Sequence, residues 1–140
     1  MNELLLHLLA AFAAGIGAVC RFLLDGVISA AVAKRAAEGG GLPWGTLAVN
    51  LSGSLAIGVV AGLLVTGPIS GGLPTVDSWP LAGALGLLGG YTTFSTASYQ
   101  TVRLVRERRW VAAVANGLVQ LVVTVALVGL GWWLAEMIAG

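Results

Sequence analysis

From Gly39 to Val76 the chain carries no charged side chain. A soluble domain cannot cover its surface with such a stretch, because water must be met somewhere by polar groups. The stretch is one of several. Apolar runs occupy approximately residues 4–33, 46–66, 80–104 and 109–136, and each reaches the roughly 20 residues that a helix needs to cross the hydrocarbon core of a bilayer. Charged residues make up only 9% of the chain, against about a quarter in soluble domains. Lipid is the solvent that accepts this surface, and in lipid the backbone must satisfy its own hydrogen bonds, as helices do. The sequence therefore predicts an all-α integral membrane protein. Residues 1–140 form a single domain of four transmembrane helices, with loops too short to hold a catalytic domain.

The punctuation agrees. Gly39-Gly40-Gly41 with Pro43, Gly67-Pro68, and Gly71-Gly72-Leu73-Pro74 with Pro80 mark connections. Trp44, Trp79, Trp110, Trp132 and Trp133 stand at span edges, where interfacial indoles belong. Lys34 and Arg35 follow the first span, and Arg103, Arg106, Arg108 and Arg109 follow the third; the opposite side has neither Lys nor Arg. The positive-inside rule places these two loops in the cytoplasm and both termini outside. The N-terminal run reads as a retained first helix, since acidic Glu3 precedes it where a signal peptide would be basic. A net charge of +1 gives no reason to expect nucleic acid as a partner. Cys20, alone in the sequence, excludes an internal disulfide and is expected to be a small buried hydrophobe. His7 is expected to be interfacial or packed.

Polar side chains inside the spans carry the functional signal. Thr46, Asn50, Ser54, Gly58 and Gly62 recur at i+4 and share one helix face. The small residues suit close helix packing, whereas an amide in hydrocarbon needs partners and points to a path or a tertiary hydrogen bond. Asn116, Gln120 and Thr124 repeat the spacing in the fourth span, either as interhelical glue or as a polar track for a small ion. In the third span Gly89-Gly90-Tyr91-Thr92-Thr93-Phe94-Ser95-Thr96 is a poor continuous helix. A break at membrane depth frees backbone groups: unwound carbonyls suit a monovalent cation, and the N-terminus of the following half-helix suits an anion. This points to an ion site rather than a packing kink. Two readings of Arg21 are open: it snorkels to the interface, or it draws anions into a vestibule. No nucleophile–His–carboxylate set or phosphate-cradling loop is present, so the chain is not expected to be an enzyme.

Taken together, these segments resemble the Fluc (CrcB) family of fluoride channels. The third-span signature of that family is similar to Gly89 through Thr96, with Tyr91 at its variable place. The second-span signature is similar to Asn50-Leu51-Ser52-Gly53-Ser54 after Trp44-Gly45-Thr46, and the first-span pattern to Gly17-Ala18-Val19-Cys20-Arg21-Phe22. The resemblance implies passive fluoride efflux across the cell inner membrane by an antiparallel dimer with two pores. It implies a structural, non-transported Na+ at the dimer two-fold, held by the carbonyls of Gly89 and Thr92. It also implies fluoride passing Thr46, Asn50, Phe94, Ser95, Asn116, Gln120 and Thr124, with Arg21 as a vestibule charge. The positive edge of the Phe94 ring can face an anion; the Asn50 amide and the Ser95 and Thr124 hydroxyls can donate to it.

Four positions depart from the family pattern. Ala97 stands where a second phenylalanine is usual, Gln100 where an acidic residue is usual, and Asn116 and Gln120 where a tyrosine and a serine are usual. A chain that inserts in both orientations should show little Lys/Arg asymmetry, and this one is strongly biased. A heterodimer with an oppositely oriented homologous chain is therefore expected over a homodimer, with a non-conducting or single-pore subunit as the alternative function. A proton-coupled drug exporter would want a membrane-embedded carboxylate; Glu3 and Glu136 lie at span ends and Asp77 in a loop.

Overall fold

A computed structural model describes residues 3–34, 41–66 and 79–140, and among these every regular element is helical. The elements are α1 (Glu3–Ala33), α2 (Trp44–Thr66), α3 (Trp79–Tyr91), α4 (Phe94–Arg106), α5 (Trp110–Leu118), a π turn (Val119–Val123) and α6 (Thr124–Ala139). Three helical stretches are long and apolar enough to cross a membrane: Glu3–Ala33, Trp44–Val65 and Trp110–Ala139. Helices α3 and α4 have 13 residues each, short of the roughly 20 that crossing requires, and they meet at the two-residue gap Thr92–Thr93. Asp77 and the Gly71–Pro74 turn lie outside the described residues, as do Arg35 and Gly39-Gly40.

Small residues set the packing. Helix α1 lies against α3, and α2 against α6. At the first contact, a Cβ added to Gly86 or Gly90 would fall on the carbonyls of Ala10 and Ala14. At the second, a Cβ on Gly58 would fall on the Val128 carbonyl and one on Gly62 on the Ala135 side chain. Backbones this close gain dispersion and weak polar contacts that bulkier residues forbid. The i+4 face of α2 predicted from sequence is thus divided: its Gly half packs on α6, and its polar half bonds to α1, to α4 and the residue before it, and to the π turn.

Helix α2 is the centre of the molecule. Val49 is fully buried, and Thr46, Asn50 and Ser54 are buried beside it. Most large apolar side chains of α1 and of the α5–α6 stretch are exposed instead, among them Phe12, Phe22, Val111 and Leu121. Such a surface suits lipid or another subunit, not water. Cys20 corrects an expectation: it is exposed, because α1 buries little besides Leu6 and Gly17 and leaves its other faces uncovered. His7 is exposed at the start of α1, and its Nδ1 donates to the Glu3 carbonyl at 2.7 Å.

A tight turn joins α4 to α5. Arg109 N–H donates to the Leu104 carbonyl and Arg108 N–H to that of Val105, the paired bonds of a Schellman cap. The cap puts Arg108 at φ 58°, a left-handed conformation that glycine adopts more readily. Glu107 sits among the basic residues there, 2.8 Å from Arg103 and 3.8 Å from Arg109.

Candidate functional site: a helix break and its groove

The break forms where the sequence weakens the helix. Thr92 N–H still closes onto Leu88 at 2.9 Å, but Thr93 is extended (φ −149°, ψ 120°) and its hydroxyl accepts from Thr96 N–H as the N-cap of α4. Asn50 holds the extended residue. Its Nδ2 donates to the Thr93 carbonyl at 2.8 Å, and its Oδ1 accepts from Thr93 N–H at 2.8 Å. The side-chain amide thus pairs with a peptide group as a neighbouring strand would. The second Nδ2 hydrogen goes to Gln120 Oε1 at 2.9 Å. Gly53 permits this approach, since a Cβ there would fall on the Thr92 side chain. Next to Gly53 and Thr92, Ser52 Oγ and the Tyr91 hydroxyl pair at 2.9 Å.

These bonds redirect the backbone of the break. In a continuous helix Thr93 N–H would close onto Gly89 and Thr96 N–H onto Thr92. Here the first goes to Asn50 and the second to the Thr93 hydroxyl. The carbonyls of Gly89 and Thr92 lose their helical donors, and nothing within 4 Å crowds the Cβ side of Gly89. Neutral oxygens without donors suit a hard monovalent cation, so the residues present fit the Na+ that the resemblance implies. The neighbouring Gly90 carbonyl does have a partner. Arg21 turns inwards from α1, and its Nε donates there at 3.3 Å.

Beside the break lies an open groove of about 600 Å³. Its walls are mostly apolar, with Ile57, Phe94, Ala97, Val102 and Leu121 among them, and its polar lining is Asn50, Ser54, Thr92, Thr93, Ser98, Thr101, Gln120 and Thr124. The Phe94 ring stands out from the chain, 88% exposed. Of the residues singled out from the sequence, the groove brings together Asn50, Thr92, Phe94, Gln120 and Thr124. Gly89, Ser95, Asn116, Thr46 and Arg21 lie outside its lining. Ser95 Oγ pairs with Thr93 Oγ1 at 3.3 Å, and fully buried Asn116 donates from Nδ2 to Thr101 Oγ1 at 2.7 Å.

The π turn Val119–Val123 is an element that the sequence did not reveal. It sits where the fourth hydrophobic stretch passes Asn50, and such turns cluster at functional places. The Thr124 hydroxyl donates back to the Gln120 carbonyl across it.

Sequence reasoning also missed Asp25, which lies inside α1 and is half-buried. Its Oδ1 accepts from Ser29 at 3.0 Å and its Oδ2 from Thr46 at 2.9 Å; Thr46 Oγ1 in turn accepts from Gln100 Nε2 at 2.8 Å. Gly45 gives the carboxylate its room, because a Cβ there would fall on Asp25 Oδ1. The available signal was the position: an acid one helical turn beyond Arg21 in an apolar run. The expectation that no carboxylate lies within a span is corrected accordingly.

A family model described as CrcB-like protein, Camphor Resistance (CrcB), matches residues 8–132. This chain belongs to the CrcB family. A relative from Leifsonia xyli named fluoride-specific ion channel FluC 1 is 40% identical over 133 residues, covering 95% of this chain and 88% of the relative. Relatives from Syntrophotalea carbinolica and Rhodospirillum rubrum, both named fluoride-specific ion channel FluC, are 41% and 36% identical and cover 88% and 94% of this chain and 91% and 92% of their own lengths. CrcB membership weighs against the drug-exporter reading even with Asp25 in place.

Ala97, Gln100, Asn116 and Gln120 all lie on α4 and the α5–α6 stretch. Ala97 is buried against the groove. The other three are amides, and each keeps one buried atom without a hydrogen-bond partner: Gln100 Oε1, Asn116 Oδ1 and Gln120 Nε2.

Proposed function

We propose that this chain is a subunit of a fluoride-selective channel that lets fluoride leave the cytoplasm passively, in an antiparallel dimer with a structural, non-transported Na+ at its centre. The observation that carries the proposal is the exchange of bonds at the break. Asn50 takes the Thr93 N–H from Gly89 and the Thr93 hydroxyl takes the Thr96 N–H from Thr92, which leaves those two carbonyls without their helical donors and sets the N-terminus of α4 beside the groove. Those two carbonyls would hold the cation, with equivalent ones from the second subunit. Bound there, Na+ supplies a fixed positive charge that offsets the cost of an anion at membrane depth. The groove suits a small anion because its walls are apolar and its donors few, so that each donor replaces part of a hydration shell. The exposed edge of Phe94 presents the positive side of its ring quadrupole. The relatives' names as fluoride channels support the choice of ion.

The test is fluoride efflux from liposomes holding the purified protein, with chloride efflux as control. Fluoride release with little chloride release is the expected result, and release is expected to fall when the protein is prepared and assayed without Na+. Equal release of both halides, or none of either, refutes the assignment.

A heterodimer is favoured over a homodimer by one observation. Six of the seven basic residues fall in the two loops on one side, and the opposite side has none, which directs insertion one way only. In that reading a second, oppositely oriented homologous chain completes the pores, and one pore of the pair, lined here by Ala97 and Gln120, is altered. Co-expression with such a homologue is then required for flux. A stable antiparallel dimer of this chain alone, carrying fluoride, would rule it out.

A further inference from the structure

Hydrogen atoms, followed one by one, divide the polar lining of the groove into two classes. Most donors already serve the protein. Asn50 gives both amide hydrogens away, to the Thr93 carbonyl and to Gln120. The hydroxyls of Thr92, Thr101 and Thr124 donate to the carbonyls of Leu88, Ala97 and Gln120, and that of Thr93 donates to Thr96. Three groups remain. The hydroxyls of Ser54 and Ser98 make no hydrogen bond among the described residues, although Ser54 is only 8% exposed and both line the groove. Gln120 also lines the groove, and its Nε2 is buried without a partner.

An anion is held by donors, and a donor already engaged must first break its bond to serve. A hydroxyl that lines the groove and bonds nothing in the protein can give its hydrogen to a ligand without first breaking another bond. We propose that the Ser54 and Ser98 hydroxyls, together with the Gln120 amide, are the groups that touch the anion in this groove, and that Asn50 is a positioning residue that braces the break and aims Gln120. This rests on the groove being an anion path, as proposed above. The division follows from the fold. Ser54 lies one turn beyond Asn50 on the same face of α2, whereas Ser98 comes from α4, so donors from two helices flank one passage. Gln120 is oriented by the bond that its Oε1 accepts from Asn50, which turns Nε2 the other way.

The experiment compares Ser54→Ala, Ser98→Ala, Ser98→Thr and Gln120→Glu with the wild type, in whichever assembly carries flux. Each is assayed for fluoride efflux from liposomes and for thermal stability in detergent. Loss of one hydrogen bond to an ion should slow efflux on the order of tenfold or more. The expected pattern is slowed efflux in both alanine variants and in Gln120→Glu, near-normal efflux in Ser98→Thr, and unchanged melting temperature in the alanine variants. Asn50→Ala is expected to melt lower, as a brace should. Ser54→Ala and Ser98→Ala conducting at the wild-type rate would overturn the proposal. So would a fall in their stability, since a hydroxyl that bonds nothing holds nothing together. Wild-type liposomes that release no fluoride would refute the channel reading itself, and that trace distinguishes the two failures.

Discussion

Asn50 shows how much one amide can organise. It is 6% exposed and makes three hydrogen bonds to two partners, Thr93 in the break and Gln120 in the π turn. Asn50→Asp keeps the shape, removes both donors and sets a carboxylate against the Thr93 carbonyl. It is expected to destabilise the protein by about 2–3 kcal/mol, read as a lower melting temperature in detergent, and to abolish fluoride efflux. Its importance was legible in the sequence, because an amide among hydrocarbon must find partners. Its partner was not: Thr93 lies 43 positions away, and no local pattern couples them. Asp25 stands one turn beyond Arg21 in an apolar run, and its tertiary partner Thr46 lies 21 positions away on another helix. The unpaired atoms of Gln100, Asn116 and Gln120 were equally out of sight, since which half of an amide bonds depends on neighbours that only folding supplies.

At the level of elements, the break was readable and the π turn was not. Two glycines and clustered threonines raise the cost of a helix between Gly89 and Thr93, and Thr93 is a good N-cap once the chain has left the helix. The π turn lies in a run of valine and leucine around Gln120 that satisfies α and π hydrogen bonding alike. Two substitutions probe the elements directly. Arg108→Gly relieves the left-handed conformation at the end of α4 and should stabilise the turn by about 1 kcal/mol, measured by denaturant titration in detergent. Gly58→Val drives two methyl groups into the Val128 backbone and should destabilise the α2–α6 contact by about 1–3 kcal/mol, seen in the same titration. An unchanged midpoint for Gly58→Val would mean that the two helices do not pack as described.

For the whole molecule, charge decides orientation. The turn after α4 and the start of the loop after α1 carry the basic residues, so alkaline phosphatase fused to the C-terminus should be active and a cytoplasmic fluorescent reporter fused there dark. The reverse result would invert the direction of every path discussed above. The described helices leave large apolar surfaces bare, as a membrane-spanning protein does. The hydrogen-bonded line from α1 through α2 to α4 carries a consequence for natural variation. A threonine hydroxyl has a single proton, and Thr46 gives its proton to Asp25 while taking one from Gln100. Were residue 100 a glutamate, two acceptors would compete for that proton with none offered in return. An acid at position 25 and an acid at position 100 should thus be mutually exclusive among homologues, so that across an alignment the negative charge changes places between the two helices instead of accumulating.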